Sequence, residues 1–418
     1  MRNFTFKGLF LTAVFMLLGC FSIQAADDDL ITKQITINLD KAGTLPNKIA
    51  SSEMYKITNL KIIGEINGTD WNMIREMAGR DNRGYGTEGK LSVLDLSEAK
   101  IVKGGDSYYS GDNCYTSNDE IGEYAFKDCS RLTSLTLPVG ITSIGYDAFA
   151  YCSGLTSLTL PAGITSIGEY AFYGCSGLTS LNLPAGITEI GESTFSDCSG
   201  LTSLTLPDGI TSIGISAFAY CSGLTSLTLP AGITSIGDDT FYGCSGLTSL
   251  TLPAGITSIG EYAFSGCSGL TSLTLPAGIT SIDKCAFSGC SRLTSLTLPA
   301  GITSIGEFAF SYCSGLTSIY VYAEKVPRIG RYAFEGCASR KCTLYVPKGT
   351  YDNYRLSEFG YFENIVEFDA TGIDKTTTST DVEEVSRYSL NGQRLAVPVK
   401  GLNIVKYSDG TARKVVVK

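Results

Sequence analysis

The sequence predicts an α/β repeat solenoid: a leucine-rich repeat array of 23-residue coils with a concave parallel β-sheet, short helical or 3-10 turns on the convex side, and a small C-terminal β-domain. Three observations predict it. From Leu132 to Ser314 nearly the same phrase recurs every 23 residues, as in the copy that begins Leu155-Thr-Ser-Leu-Thr-Leu160 and continues through Ile164, Ile167, Phe172 and Cys175. An L-x-x-L-x-L element inside a period in the twenties is the signature of leucine-rich repeats. Charged residues make up only 17% of the chain and Gly contributes 47 of 418 residues, which favours coils and turns over long surface helices.

The N-terminus reads as an export signal. Arg2 and Lys7 precede an apolar run from Leu9 to Leu18, and small residues then lead to Ala25, Ala26 and Asp27. That order is a signal peptide over 1–26, and its apolar run is too short to span a bilayer. Cleavage near Ala25 or Ala26 is the plainer reading. Leu17-Leu-Gly-Cys20 also resembles a lipobox, which makes Cys20 a candidate lipidation site. The membrane then enters only through export or such an anchor.

Residues 27–120 are expected to cap the first coil. Ile57 to Ile62 and Leu91 to Leu96 are degenerate strand units, and Asp70 to Met77, with Thr69 as N-cap, reads as a helix. Trp71, the only tryptophan, is assigned to covering the first coil. The loop Asp106 to Glu120 holds four acids without EF-hand spacing and reads as a solvated insertion.

Residues 121–342 are the repeats. The two-residue side-chain period of a strand turns Leu158 and Leu160 inward and Ser157 and Thr159 outward. Ile164 and Ile167 return inward along an extended arc, and Glu169 to Cys175 is read as a short helical or 3-10 turn placing Ala171, Phe172 and Cys175 in the core. A coil this small cannot bury enough apolar surface alone, so stacking must supply the remainder and both ends need caps. The C-terminal cap is 343–370, and twelve strand units are expected in all. Ten of the 14 cysteines, Cys129 through Cys337, fall in one column. Stacked residues carry parallel Cβ vectors about 4.8 Å or more apart, whereas a disulfide needs them about 3.5–4.5 Å apart and converging. The column therefore reads as small buried hydrophobes, with Cys337 and Cys342 the one pair worth checking.

Beyond the array, 371–385 is a Thr-rich linker. Residues 386–418 then read as short strands with Asn391-Gly and Asp409-Gly turns. This tail, with Asn391-Gly-Gln-Arg394, Gly401-Leu-Asn-Ile-Val405 and the terminal Lys414-Val-Val-Val-Lys418, resembles the C-terminal sorting domain of type IX secretion substrates. Asn403 stands where that pattern has an aromatic residue. The resemblance implies export to the outer cell surface.

The absence of histidine excludes a Ser-His-Asp triad, a Cys-His pair and His-ligated zinc. No phosphate-binding glycine loop or C-x-x-C pair occurs, so no catalytic residue, metal ligand or cofactor is assigned. The net charge is −9, and the segment Leu132 to Gly315 carries 11 acids against Lys284 and Arg292. An acidic array without a basic stripe lacks the footprint a nucleic acid needs.

The repeat continuation Pro253-Ala-Gly-Ile-Thr-Ser-Ile-Gly-Glu-Tyr-Ala-Phe-Ser-Gly-Cys267 resembles the BspA-like leucine-rich repeat family of bacterial surface proteins. Leu344-Tyr-Val-Pro-Lys-Gly349 and Ile74 to Arg80 share the resemblance. It implies adhesion at the bacterial outer surface or in the extracellular space, with host matrix or cell-surface proteins, glycans or other bacterial cells as partners. A passive stalk and a secreted enzyme are the alternative readings. Candidate ligand-binding residues are the outward hydroxyls Ser157, Thr159, Ser180, Thr205, Thr228, Thr251, Thr274 and Thr297. To these are added Tyr320, Tyr322 and Tyr345, which replace small residues near the C-terminal end, beside Lys325, Arg328 and Arg331. Exposed aromatics with basic neighbours are what interfaces enrich.

Overall fold

A computed structural model describes residues 29–112, 114–370, 384–388, 394–395, 400–407 and 412–417. The signal peptide, Cys20 and most of the Thr-rich linker lie outside the described residues. The chain forms one compact unit ending at Phe368 and a second from Asp369 to Lys418.

The first unit is a parallel β-solenoid. Its main ladder begins with Ile35–Leu39 and passes through Asn59–Ile66 and Val93–Ile101 to Ser134–Thr136 and Ser157–Thr159. Identical residues then face each other at 23-residue offsets: Ser180 pairs with Ser203, Ser226 with Ser249 and Ser272 with Ser295. Leucine sits buried between two outward polar residues in each such strand, Ser and Thr in most and Ser and Asn182 in one, the alternation expected of a sheet with one wet face. The ladder ends with Thr343–Pro347 and Asn364–Phe368, giving fourteen strands rather than the expected twelve. The two extra strands, Ile35–Leu39 and Asn364–Phe368, add one rung at each end.

A second parallel ladder of two-residue strands runs from Glu120–Ile121 through Ser143–Ile144 and Ser166–Ile167 to Arg328–Ile329, burying one isoleucine per coil as far as Ile305 and leaving Ile329 half-buried. The third side departs from the sequence reading. Residues 169–175 form turns, not a helix or 3-10 segment, although Ala171, Phe172 and Cys175 are fully buried as expected. Alternate amides explain this. Tyr173 and Cys175 N–H bond locally to Tyr170 and Phe172 C=O (2.9 and 3.1 Å). Tyr170, Phe172 and Gly174 instead donate to Glu192, Thr194 and Ser196 C=O of the next coil (2.9, 2.9 and 2.8 Å). Half the donors are thus diverted into stacking, and a residue with positive φ recurs twice in most coils.

Inside, a column of phenylalanines runs from Phe126 to Phe334; Phe172 and Phe195 stack with centroids 5.5 Å apart and planes 2° from parallel. The cysteine column flanks it. Cys221 and Cys244 Sγ–H donate to the Phe195 and Phe218 carbonyls of the preceding coils, both at 3.0 Å. All thirteen described cysteines are unpaired and buried, Cys337 and Cys342 included. Burial pushes the Cys129 thiol up to about 11 and the Cys244 thiol up to about 12. Because the raised value belongs to the folded state, these thiols stay protonated through neutral and mildly alkaline pH. The native protein is therefore expected to resist a thiol reagent at pH 8, and unfolding without reductant to release at least ten reactive thiols from residues 121–340. Recovery of mostly disulfides would contradict the stacked column.

The N-terminal end is sealed by helix α1, Gly68–Met77. It starts earlier than expected: Asn67 is the N-cap, completing a reciprocal capping box with Asp70, and Thr69 lies inside the helix. Trp71 covers the first coil, donating from Nε1 to Ala125 C=O (3.0 Å) with its ring 5.2 Å from Phe126. Arg75, fully buried, donates to Tyr124 and Ala125 C=O (2.7 and 3.0 Å). The expected solvated insertion is instead a hairpin, Gly104–Tyr109 with Cys114–Thr116, whose Tyr108 is buried and donates to Glu123 C=O (3.0 Å). At the other end Tyr354 is buried, its hydroxyl donating to Ala323 C=O (2.6 Å).

The second unit is a four-stranded antiparallel sheet in the order Arg394–Leu395, Glu384–Tyr388, Gly401–Tyr407, Ala412–Val417. Asn403 and Val405 are buried in it, and Asn403 Oδ1 accepts from Arg387 Nη1 (3.3 Å).

Candidate functional site

Two surfaces of the first unit merit comparison as binding sites. The main strand face carries every ligand-binding candidate read from the sequence. Ser157, Thr159, Ser180, Thr205, Thr228, Thr251 and Thr274 are exposed, and Thr297 is half-buried where Tyr320 stands opposite it in the ladder. Among the described residues no protein group hydrogen-bonds these hydroxyls. A neighbouring threonine column is consumed internally: Thr156, Thr202 and Thr248 Oγ1 donate to the carbonyls of Thr133, Thr179 and Thr225 in the preceding coils (3.2, 3.1 and 3.2 Å). The free columns are therefore the ones able to meet a ligand. Thr205 and Thr228 share a cleft of about 380 Å³ between adjacent coils.

At the C-terminal end of this face the structure brings the tyrosines together. Tyr320 and Tyr345 stack face to face, centroids 4.4 Å apart and planes 6° from parallel. Phe368, which sequence reasoning missed, stands edge-on to Tyr320 (5.9 Å) and Tyr322 (5.1 Å), joining all four rings. Its signal was faint, because the strand bearing it belongs to no recognisable repeat. Burial first, and then Tyr345, push the Tyr320 phenol up, so that hydroxyl stays protonated at physiological pH. Arg328 and Arg331 do not join it. Arg328 opens a strand of the second ladder, and Arg331 lies in the turn segment, where its C=O accepts from Phe308 N–H.

The turn side carries a second surface that the sequence reading did not assign. A groove of about 750 Å³ crosses the coils from Lys127 to Tyr262, walled mainly by Tyr146, Tyr151, Tyr170, Tyr173, Tyr220 and Tyr242. Neighbouring rings meet edge to face, as Tyr151 with Tyr173 (5.2 Å, 83°) and Tyr220 with Tyr242 (5.1 Å, 81°). Tyr151, Tyr170, Tyr220 and Tyr262 hold left-handed backbone, with φ of 59, 56, 58 and 53°, a conformation costing a bulky residue on the order of 1–3 kcal/mol. One signal could have found this groove: the strand residues scarcely change between copies, whereas the residues around the Ala-Phe pair do. Among the described residues no group of His, Cys, Asp or Glu side chains gathers as a metal site, and no helix is long and apolar enough to cross a membrane.

No curated protein matches the chain. Among solved structures it is similar to a leucine-rich repeat protein of T. pallidum, at 33% identity over 39% of this chain and 75% of that one, with a TM-score of 0.35. It is also similar to a leucine-rich repeat protein of Bacteroides ovatus, at 24% identity over 64% of this chain and 88% of the other, TM-score 0.38. A leucine-rich cell surface protein of Faecalibacterium prausnitzii matches at 23% identity over 53% and 86%, TM-score 0.24. The family model described as the BspA type leucine rich repeat region matches residues 119–248 and 234–351, more than half the chain. With the coil geometry above, that match shows that the chain belongs to the BspA type leucine-rich repeat family.

Proposed function

We propose that the chain is a non-catalytic adhesion or ligand-binding protein of the bacterial outer surface or the extracellular space, and that its strand face is the binding surface. Its partners are host matrix or cell-surface proteins, glycans, or other bacterial cells. The observation that carries this reading is the strand face itself: a long wall of free hydroxyls ending in the four-ring cluster of Tyr320, Tyr322, Tyr345 and Phe368. Repeated weak contacts suit an extended partner, because each further contact is made at high effective concentration. An aromatic group at one end supplies an anchor. Family membership and the absence of histidine support a binding role over catalysis. Applied to an array of matrix proteins and glycans, the full chain is expected to be retained by at least one. Retention by none would favour a passive spacer.

The two ends are proposed as addresses: 1–26 for export, and 386–418 for sorting through type IX machinery. Deleting Ser386 to Lys418 is then expected to leave the array folded but held in the periplasm of a host that has this machinery. Normal surface display of the shortened chain would contradict the sorting role.

A further inference from the structure

The turn-side groove holds tyrosines that the fold does not require. Tyr151 and Tyr220 stand in a column where other coils place Gly174, Gly243, Gly266 and Gly289, all with positive φ. A Cβ at Gly174 or Gly243 would lie 2.8 Å from the ring of Tyr151 or Tyr220, so the glycines make room for the rings stacked upon them. Tyr170 and Tyr262 share a column with Ser193 and Ser216. Glycine is the residue suited to left-handed backbone. Tyrosine at these points is held against backbone preference, which points to a use for the side chain.

The chain itself shows what the groove accepts. At its first coil the Lys127 ammonium lies 5.0 Å from the centre of the Tyr124 ring and pairs with Asp147. In the following coils the position of Lys127 is taken by Ala150, Tyr173, Ser196, Ala219 and Tyr242, so none of them supplies its own cation. The carboxylates nevertheless recur. Glu192 accepts from the Tyr170 hydroxyl, and Asp239 lines the groove four coils beyond Asp147. Among the described residues neither meets a cation. Burial, then Asp238 and Glu261, push the Asp239 carboxyl above its usual range, the response of an acid without a counter-charge.

We propose that this groove binds an extended, lysine-bearing segment of a partner protein, each ammonium seated as Lys127 is, over a tyrosine ring and beside a carboxylate. Cation–π contact and charge pairing act together there. The scale agrees: four coils at ~4.8 Å each separate Asp147 from Asp239 by roughly 19 Å, the reach of about six extended residues. A neutral glycan would use the rings but leave the carboxylates uncompensated, so it is the disfavoured occupant. This site is separate from the strand face, and its ligand chemistry differs.

The test is fluorescence anisotropy of the full chain with a labelled sixteen-residue peptide alternating lysine and serine, compared with the same peptide acetylated at every lysine. The triple variant Tyr170→Ser, Tyr220→Gly, Asp239→Ser introduces only residues that other coils already carry at those positions, so it is expected to fold. The lysine peptide should bind, and acetylation or the triple variant should each weaken it about tenfold or more. Asp208→Ala, which removes an acid outside the groove, and Tyr320→Ala with Tyr345→Ala should leave binding unchanged. Equal binding of the acetylated peptide, no loss in the triple variant, or an equal loss in Asp208→Ala would overturn the proposal. So would retention of a neutral polysaccharide such as dextran in place of the peptide. Because the strand-face tyrosines are silent here, failure of this site leaves the strand-face reading standing, and the reverse holds too.

Discussion

Phe218→Ala is expected to destabilise the array by about 3–5 kcal/mol, the usual cost of truncating a fully buried aromatic side chain. Phe218 has no exposed surface and lies between Phe195 (centroids 5.7 Å) and Phe241 (5.5 Å), with planes 4° and 9° from parallel. The cavity would open in mid-column and strip contacts from two coil interfaces at once. It cannot collapse easily, because the backbone around it is pinned: Phe218 N–H donates to Thr240 C=O (2.9 Å), and Phe218 C=O accepts from Cys244 Sγ–H (3.0 Å). In a stack where each coil contacts only its neighbours, a weak interface divides the array into separately melting parts. Urea unfolding followed by circular dichroism should show a lower midpoint and a broadened or split transition. A loss below about 1 kcal/mol would mean that the phenylalanine column does not carry the core.

Much of this fold could be read from the chain because a repeat fixes its columns. Once Leu158 faces inward, every leucine at that place in the coil does so, and Phe172 and Cys175 follow by the same rule. The turn segment misled because Ala171, Phe172 and Cys175 have the spacing of a helix's buried face. What breaks the helix is competition from carbonyls of the next coil, a property of the stack that no single copy displays. The terminal strands Ile35–Leu39 and Asn364–Phe368 were missed because neither carries the repeat phrase. With the second went Phe368, and hence the ring that joins Tyr322 to the stacked pair. The tyrosine groove escaped for a further reason. Its walls come from several columns, and nothing local announces a tyrosine in left-handed backbone.

The strand-face reading predicts where binding energy concentrates. Tyr320 and Tyr345 stack at 4.4 Å and replace threonine in the column that carries Thr274 and Thr297. An aromatic anchor at an interface is typically worth more than about 2 kcal/mol when truncated, whereas one hydroxyl among many equivalent ones contributes little. Tyr320→Ala with Tyr345→Ala should therefore weaken binding of a retained matrix protein or glycan about tenfold or more, equivalent to ~1.4 kcal/mol, and Thr228→Ala should not. Surface plasmon resonance of the full chain and these variants, against whichever matrix protein or glycan the array retains, tests the account most directly. Loss on the tyrosine pair alone is the predicted result. Unchanged binding by that pair, with binding abolished by Tyr170→Ala or Tyr262→Ala, would contradict it and move this ligand to the turn side.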